Sequence, residues 1–213
     1  MSVSTKIIKI DVERIELQSI KRIADVLRKD GVIVYPTETF YGLGANCFSK
    51  KAVQRIYRLK KRFPDKPLSI VISDLDMLLT VATNIPTAFQ PLCSAFWPGP
   101  VTFVFPASPR LPHELLGAGH SIGVRWPASL WLQNLVQYTC FPLTATSANI
   151  SGEKEINHPE DAIKIFSGSV ELIVDGGPTP ANLPSTVVDL TTPRPTVLRE
   201  GAIPASEIEK YFP

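Results

Sequence analysis

The 213-residue chain lacks the features that define several large classes of protein. Its cysteines, Cys47, Cys93 and Cys140, are odd in number, widely spaced and without a Cys-x-x-Cys pair. This pattern disfavours both a disulfide framework and a structural zinc site. No apolar run approaches the length of a membrane span, and the N-terminus lacks the hydrophobic segment of a signal peptide. We therefore expect a cytoplasmic protein, in a reducing compartment, that has no contact with a membrane.

The familiar motifs for binding phosphate and for covalent catalysis are also missing. Neither Gly-x-x-x-x-Gly-Lys-Ser/Thr nor Gly-x-Gly-x-x-Gly occurs, and the glycines of residues 42–44 are interpreted as a turn that needs positive φ. No Gly-x-Ser-x-Gly elbow is present, so the sequence does not indicate a serine nucleophile. The histidines His113, His120 and His158 show no metal-ligand spacing, so we predict no metal ligand among the side chains.

Charge is concentrated in one segment, although the formal net charge of the whole chain is only +2. That segment contains a single acid, Asp65, and a series of cations: Lys50, Lys51, Arg55, Arg58, Lys60, Lys61, Arg62 and Lys66. A local basic patch on a nearly neutral protein indicates a phosphate-bearing ligand. The alternative is an ordinary solvated helix face, and the charge pattern alone leaves both interpretations open.

The order of helical and strand patterns predicts a single α/β domain over residues 1–213, with a twisted mixed sheet flanked by helices. Hydrophobic residues make up 44% of the chain, enough for a substantial core. Helices are predicted over residues 20–27 (ending at Gly31), 49–61 (capped by Ser49), 75–81, 86–96, 129–138 and 161–166. Strands are predicted over residues 32–35, 67–72, 101–105, 122–125, 142–146 and 170–174, with a hairpin from 185–190 and 196–199. The proline-rich residues 178–184 are predicted to form a loop.

Two short groups of polar residues follow predicted strands, where open α/β sheets bind ligands. Arg125 precedes Trp126-Pro127 and can form a fork with a carboxylate or phosphate, or a structural salt bridge. Ser147 and Asn149 are two residues apart and can offer a hydroxyl and an amide to one ligand. The alternative for that pair is an ordinary Asx or Ser turn into residues 150–152.

A series of short motifs, taken together, resembles a known family. In chain order they are Tyr35–Gly44, Lys60 and Arg62 with Lys66-Pro67-Leu68, Trp97–Thr102, Gly123-Val124-Arg125, Ser147 and Asn149, Ser185–Asp189 and Arg199-Glu200-Gly201. Each piece is weak alone, but the combination resembles the YrdC-like family of threonylcarbamoyl-adenylate synthases over nearly the whole chain. Because the chain ends soon after Arg199, it is similar to the short, single-domain form. The resemblance also implies a concave, basic ligand cleft.

The resemblance implies an activity that combines L-threonine, bicarbonate or CO2, and ATP. The products would be threonylcarbamoyl-AMP and pyrophosphate, and a tRNA-modifying transferase complex would pass the threonylcarbamoyl group to an adenosine beside the anticodon. A carbamate formed from threonine and CO2 would attack the α-phosphate of ATP. Lys60, Arg62 and Mg2+ would stabilise the leaving pyrophosphate. Positioning and electrostatics would supply most of the catalysis, which fits the absence of a nucleophile motif.

The family's motifs also imply site residues at matching positions of this sequence. The catalytic set is Lys60, Arg62, Ser147 and Asn149, and the residues lining ATP are Arg62, Lys66, Ser121, Ser147 and Arg199. The threonine contacts are Thr39, Arg125, the backbone at Ala145, and Ser185, with Arg125 taking the carboxylate. Three positions depart from the family pattern: Phe63 precedes Pro64 where many members have proline directly after the arginine, Lys66 replaces a common asparagine, and Val71 replaces a histidine found in some members.

Two rival functions stay open. The first is a divergent paralogue of the same fold that has lost or altered the synthase activity. The second is a non-enzymatic RNA-binding protein that uses the basic residues 55–66 on the phosphates of tRNA or double-stranded RNA. Such binding would weaken steeply with salt and need no ATP, and the sequence shows no aromatic motif for stacking on RNA bases.

Overall fold

The computed structural model describes residues 3–14, 16–63, 66–180 and 183–212. Pro64 and Asp65, and residues 181–182 of the predicted loop, lie outside the described residues. The helices are α1 Leu17–Arg28, α2 Lys50–Lys60, α3 Leu75–Val81, α4 Phe89–Phe96, α5 Leu130–Thr139, α6 Pro159–Phe166 and α7 Ala205–Glu209. The strands are β1 Lys6–Lys9, β2 Ile33–Pro36, β3 Tyr41–Gly44, β4 Ser69–Val71, β5 Val101–Pro106, β6 Ser121–Arg125, β7 Leu143–Ser147, β8 Leu172–Asp175, β9 Thr186–Asp189 and β10 Thr196–Arg199.

All of these strands belong to one sheet whose order is β1-β8-β2-β3-β7-β4-β6-β5-β9-β10. The sheet combines parallel pairs (β1 with β8, β2 with β8, β4 with β6, β5 with β9) and antiparallel pairs (β2 with β3, β3 with β7, β4 with β7, β5 with β6, β9 with β10). The predicted mixed sheet and the hairpin near the C-terminus are therefore confirmed. The prediction of one domain over residues 1–213 stays a prediction. None of the described helices is long and apolar enough to cross a membrane.

Side chains from the central strands alternate between two apolar layers, one on each face of the sheet. In β2, Ile33 and Tyr35 pack with residues of α1 and α5, such as Ile23 and Leu135. Val34 points to the opposite layer, which includes the buried residues of α2. Buried strands with helices on both faces account for the continuous apolar runs that the sequence shows.

The sequence predicted the start of α2 correctly and the end of α1 incorrectly. Ser49 caps α2 as predicted, because its side chain accepts a hydrogen bond from the backbone N–H of Ala52 at 3.2 Å. After α1, the C-cap is Lys29 and the next residue, Asp30, has a positive φ of 59°, so the predicted helix stop with Gly31 at the C′ position is wrong by one residue. Glycine is needed at position 31 because the backbone there passes close to the end of α1. A Cβ on Gly31 would lie 2.7 Å from the Val26 carbonyl oxygen.

The interpretation of residues 42–44 as a turn is also wrong. Gly42 and Gly44 lie within β3, which pairs with β2 and β7. A Cβ at Gly44 would lie 2.6 Å from Cε1 of Tyr35, and one at Gly42 would lie 3.1 Å from Cζ of the same ring. These glycines therefore make room for the buried Tyr35 ring, whose hydroxyl donates to the Thr144 carbonyl at 3.1 Å.

Alanine substitutions on β3 test this account of Tyr35. We expect Gly44→Ala to lower the free energy of unfolding by about 1–3 kcal/mol, because the ring must move to admit the methyl group. Gly42→Ala is the matched control on the same strand, and its greater clearance should give a smaller loss. Urea unfolding of both variants measures the difference. Equal losses, or a greater loss for Gly42→Ala, would contradict the packing described.

Candidate active site

A cleft opens on the face of the sheet that carries α1 and α5, at the level of the central strands. Short side chains form part of its lining, including Ser69, Thr102 and Ala145. Gly123 lies beside them, since a Cβ there would be 2.8 Å from the Ser69 hydroxyl. The opposite faces of the same strands carry bulky buried residues such as Ile70 and Phe103. The alternation of small polar and large apolar residues thus leaves a depression on one face only.

Many of the sequence-predicted site residues meet in this cleft. Its lining includes Thr39, Arg62, Arg125, Ala145, Ser147, Ser185 and Arg199. Val71, the departure noted on the threonine side, also lines it, together with Glu155. Lys60, Lys66, Ser121 and Asn149 are outside the lining. Of these, Lys66 is exposed, whereas Ser121 lies beside Gly117 near the lining residue Pro67.

Arg125 ends β6 with only 8% of its surface exposed, and it is held from three directions. Its Nε donates to the Gly99 carbonyl at 3.2 Å, and its Nη1 lies 3.4 Å from the Thr39 hydroxyl. Its Nη2 lies 2.5 Å from Oε1 of Glu38 in an ion pair that lacks the alignment of a hydrogen bond. The structural ion pair is therefore present, and Arg125 also lines the cleft, so a fork to a carboxylate or phosphate stays a prediction.

Glu38 is a partner that sequence reasoning missed. Besides the ion pair, its Oε1 accepts a hydrogen bond from the backbone N–H of Ala128 at 3.0 Å. This carboxylate ties the loop between β2 and β3 to the segment after β6, and so fixes the arginine. Glu38 lies within one of the resembling motifs, but no spacing rule connects it to a residue far along the chain.

Ser185 and Arg199 form a second polar group at the β9–β10 side of the cleft. Nη2 of Arg199 donates to the Ser185 carbonyl at 2.7 Å, and the Ser185 hydroxyl lies 2.9 Å from the Thr102 hydroxyl. Burial lowers the pKa of the Arg199 guanidinium; the nearby Glu155 charge opposes the shift and the Arg125 charge adds to it. The arginine remains a cation, since its ordinary pKa is far above neutrality.

Lys60 lies in a basic stretch at the end of a helix, where an exposed side chain would be expected. Its side chain is instead only 1% exposed. Its ammonium donates to the Ser147 carbonyl at 2.5 Å, the Asn149 carbonyl at 2.8 Å and the Asn149 Oδ1 at 2.9 Å. An ammonium has three N–H donors, so these bonds use all of them. The predicted role of Lys60 as a direct contact for pyrophosphate disagrees with this geometry, in which Lys60 holds the Ser147–Asn149 turn.

The Ser147–Asn149 turn is closed by the Asn149 N–H, which donates to the Ser147 carbonyl at 2.9 Å. It is not the Asx turn considered as the alternative, because the Ser151 N–H donates to the Lys60 carbonyl. The Ser147 hydroxyl donates to Asn149 Oδ1 at 2.6 Å, and Asn149 Nδ2 donates to the Glu153 carbonyl at 2.5 Å. Asn149 is thus turned inward with 7% exposure, whereas Ser147 lines the cleft. The expectation that both side chains point to one ligand is wrong, because they bond to each other.

The basic stretch does not act as one patch. Lys50 pairs with Glu114 at 2.7 Å, and Arg55 pairs with Glu171 at 2.5 Å. Arg62 turns toward the cleft, with Nε donating to the Lys66 carbonyl at 3.0 Å and Nη2 to the Pro67 carbonyl at 2.9 Å. The cations therefore divide among structural pairs on α2, the wall of the cleft, and exposed positions such as Lys51 and Arg58.

Metal-binding side chains are not grouped in the part of the chain that the structure describes. Across those residues, no cluster of three or more His, Cys, Asp or Glu could hold a metal ion. The cleft combines guanidinium groups from Arg62, Arg125 and Arg199 with hydroxyls and one carboxylate. Chemically, such a lining suits a ligand that carries phosphates or carboxylates.

Comparisons with known proteins agree with this geometry. The family model Sua5_yciO_yrdC, described as "Telomere recombination", matches residues 25–201. A threonylcarbamoyl-AMP synthase of Pyrococcus abyssi is 40% identical over 200 residues, which are 94% of this chain and 59% of that protein. The chain therefore spans about three fifths of that relative's length.

Solved structures match over almost all of the chain. P. abyssi Sua5 complexed with L-threonine superposes with a TM-score of 0.92 at 40% identity, covering 97% of this chain and 60% of that one. E. coli YciO superposes with a TM-score of 0.84 at 29% identity, covering 99% of this chain and 100% of that one. These matches confirm the predicted YrdC-like α/β fold.

The buried Lys60 makes a prediction about pH. Burial, followed by the nearby Arg62 charge, lowers its pKa from 10.5 to about 8. Because the folded value is below the unfolded value, unfolding takes up a proton between these two pH values. The free energy of unfolding should therefore rise with pH in that window for the native protein, relative to Lys60→Met. Urea unfolding across the window measures the difference, with the exposed Lys51→Met as control. Parallel pH profiles for the native protein and Lys60→Met would refute the shift.

Proposed function

The chain belongs to the Sua5/YciO/YrdC family, and on that premise we propose that it is an L-threonylcarbamoyladenylate synthase. In this reaction L-threonine, bicarbonate or CO2, and ATP give threonylcarbamoyl-AMP and pyrophosphate. The observation that carries the proposal is the position of Arg125, Thr39 and Ser185 in one cleft with Arg62, Ser147 and Arg199. A carboxylate receptor and phosphate-binding groups thus share a single site, as a reaction between an amino acid and a nucleotide requires.

Threonine binds, in this proposal, at the end of the cleft around Arg125. The guanidinium N–H groups not used by Gly99, Thr39 and Glu38 take its carboxylate. The hydroxyls of Thr39 and Ser185 and the backbone at Ala145 supply further polar contacts. The threonine-bound structure of P. abyssi Sua5, which shares the fold at 40% identity, supports this assignment. Val71 gives an apolar wall where some family members carry a histidine.

ATP binds, in this proposal, along the wall formed by Arg62, Ser147 and Arg199. The guanidinium groups neutralise phosphate oxygens, and the Ser147 hydroxyl, whose proton is donated to Asn149 Oδ1, accepts a hydrogen bond at the cleft surface. Lys66 and Ser121, which are outside the lining, reach the nucleotide only if it extends past Pro67. Lys60 and Asn149 act on ATP indirectly, because they fix the turn that presents Ser147.

The proposed chemistry needs no protein nucleophile. Threonine's amine and CO2 give a carbamate, whose oxygen attacks the α-phosphate while the bond to pyrophosphate breaks. The protein holds the two reactants in line and stabilises the leaving pyrophosphate through Arg62 and Arg199. Mg2+ bound with the nucleotide would add charge neutralisation at the phosphates, and the oxygen-rich lining, with its one carboxylate, fits such an ion.

The product is an unstable mixed anhydride, so it must be passed on quickly. We place the protein in the cytoplasm beside a tRNA-modifying transferase complex that uses the adenylate. Direct contact with tRNA or double-stranded RNA is compatible with this role. The purely RNA-binding alternative is less well supported, because Lys50, Arg55 and Lys60 of the basic stretch are already bonded within the protein.

Pyrophosphate release from ATP tests the proposed reaction. With Mg2+ and bicarbonate present, we expect release that depends on L-threonine and weakens when serine replaces it. Binding of ATP without threonine-dependent release would instead favour the divergent paralogue. RNA binding that is independent of ATP and falls steeply with salt would favour the RNA-binding alternative.

Replacing Arg125 tests whether one end of the cleft binds threonine and the other binds ATP. For Arg125→Gln we expect KM for threonine to rise about 10- to 100-fold, the value of one charged hydrogen bond, with a smaller change in KM for ATP. Arg58→Gln removes an exposed cation of α2 and is the matched control that should change neither constant. Thr39→Val, which leaves the Arg125–Glu38 ion pair in place, should shift KM in the same direction. Equal increases for threonine and ATP would contradict the assignment.

A further inference from the structure

Glu155 is the acidic side chain of the cleft lining within the described part of the chain. It belongs to the segment between β7 and α6, after the Ser147–Asn149 turn, and it is partly exposed. The ion pairs of the described residues use other carboxylates, and Glu155 takes part in none of them. It lines the same cleft as Arg62 and Arg199, and its charge partly opposes the lowering of the pKa values of Lys60 and Arg199.

A lone carboxylate at this place opposes the binding of a polyphosphate. Like charges at short range repel strongly where the effective dielectric constant is low, as in a partly buried cleft. Arg62 and Arg199 attract the same phosphates that Glu155 repels. A divalent cation between carboxylate and phosphate converts this repulsion into attraction. Mg2+ is typically bound in this way, through one or two carboxylates, substrate phosphate oxygens and several waters.

We propose that Glu155 is the protein ligand for the Mg2+ that accompanies the bound nucleotide. The inference rests on the proposed function, because the phosphates supply the remaining non-water ligands. The described residues provide no cluster that would hold the ion without nucleotide, so Mg2+ and ATP should bind together. Glu155 then contributes one carboxylate oxygen, directly or through a metal-bound water, within the cleft that Arg62 and Arg199 also line.

A simpler role for Glu155 would be to balance the charges of Lys60 and Arg199. The two roles differ in how they depend on metal. As a balancing charge, Glu155 weakens ATP binding both with and without Mg2+, and less with Mg2+ because the metal complex carries fewer negative charges. As a metal ligand, it weakens the binding of free ATP but strengthens the binding of the Mg2+ complex.

Calorimetric titration of ATP in the absence of threonine separates these roles. Kd is measured with excess MgCl2 and with EDTA for the native protein, for Glu155→Gln and for Glu153→Gln. We expect Glu155→Gln to bind ATP more tightly in EDTA and less tightly in Mg2+. The Kd in EDTA divided by the Kd in Mg2+ should therefore fall about tenfold. Glu153→Gln removes an exposed charge from the same segment and should leave the ratio unchanged.

If Glu155→Gln binds ATP in Mg2+ as tightly as the native protein or more tightly, the metal assignment is overturned and the proposed function stays intact. Failure of the native protein to bind ATP in either condition would overturn the proposed function and this inference with it. Glu155→Asp provides a second variant, since its shorter carboxylate should restore part of the Mg2+ dependence. If Glu155→Asp has the same ratio as Glu155→Gln, a direct carboxylate–metal contact is refuted.

Discussion

The cleft depends on one buried ammonium group. Lys60 comes from the end of α2, yet its Nζ bonds to carbonyls of Ser147 and Asn149 at the end of β7. A charged hydrogen bond is worth about 1.5–3 kcal/mol, and the Ser147 carbonyl also accepts from the Asn149 backbone N–H at 2.9 Å, which closes the turn that Lys60 holds. Lys60 therefore joins the end of α2, two residues before Arg62, to the strand that ends at Ser147, and it fixes Arg62 and Ser147 relative to each other.

A second charged contact sets the other end of the cleft in the same manner. The Glu38–Arg125 ion pair joins the loop between β2 and β3 to the end of β6, and buries most of the guanidinium. The Lys60 hydrogen bonds and the Glu38–Arg125 ion pair each hold a cationic side chain in place by linking elements that are distant in sequence. A site organised in this way holds its groups ready before any ligand arrives, which suits a reaction that relies on orientation and electrostatics rather than on a nucleophile.

Local patterns predicted much of the fold, and tertiary contacts explain what they missed. The periodicity of α2, the Ser49 cap and the hairpin of β9 and β10 depend on neighbouring residues, and each is confirmed. Strand β1 was missed because it is a largely exposed run that pairs with β8 far along the chain. The glycines of β3 look like a turn until the Tyr35 ring is placed against them. Likewise, a lysine at a helix end resembles a solvated cation, and only the fold shows that its acceptors lie beyond residue 146.

A crystal structure of the protein with L-threonine, a non-hydrolysable ATP analogue and Mg2+ tests the account most directly. The account predicts the threonine carboxylate at Arg125, the triphosphate along Arg62 and Ser147, and Lys60 still bonded to the carbonyls of Ser147 and Asn149. A Lys60 ammonium that leaves those carbonyls to contact phosphate, or a threonine carboxylate bound away from Arg125, would contradict it.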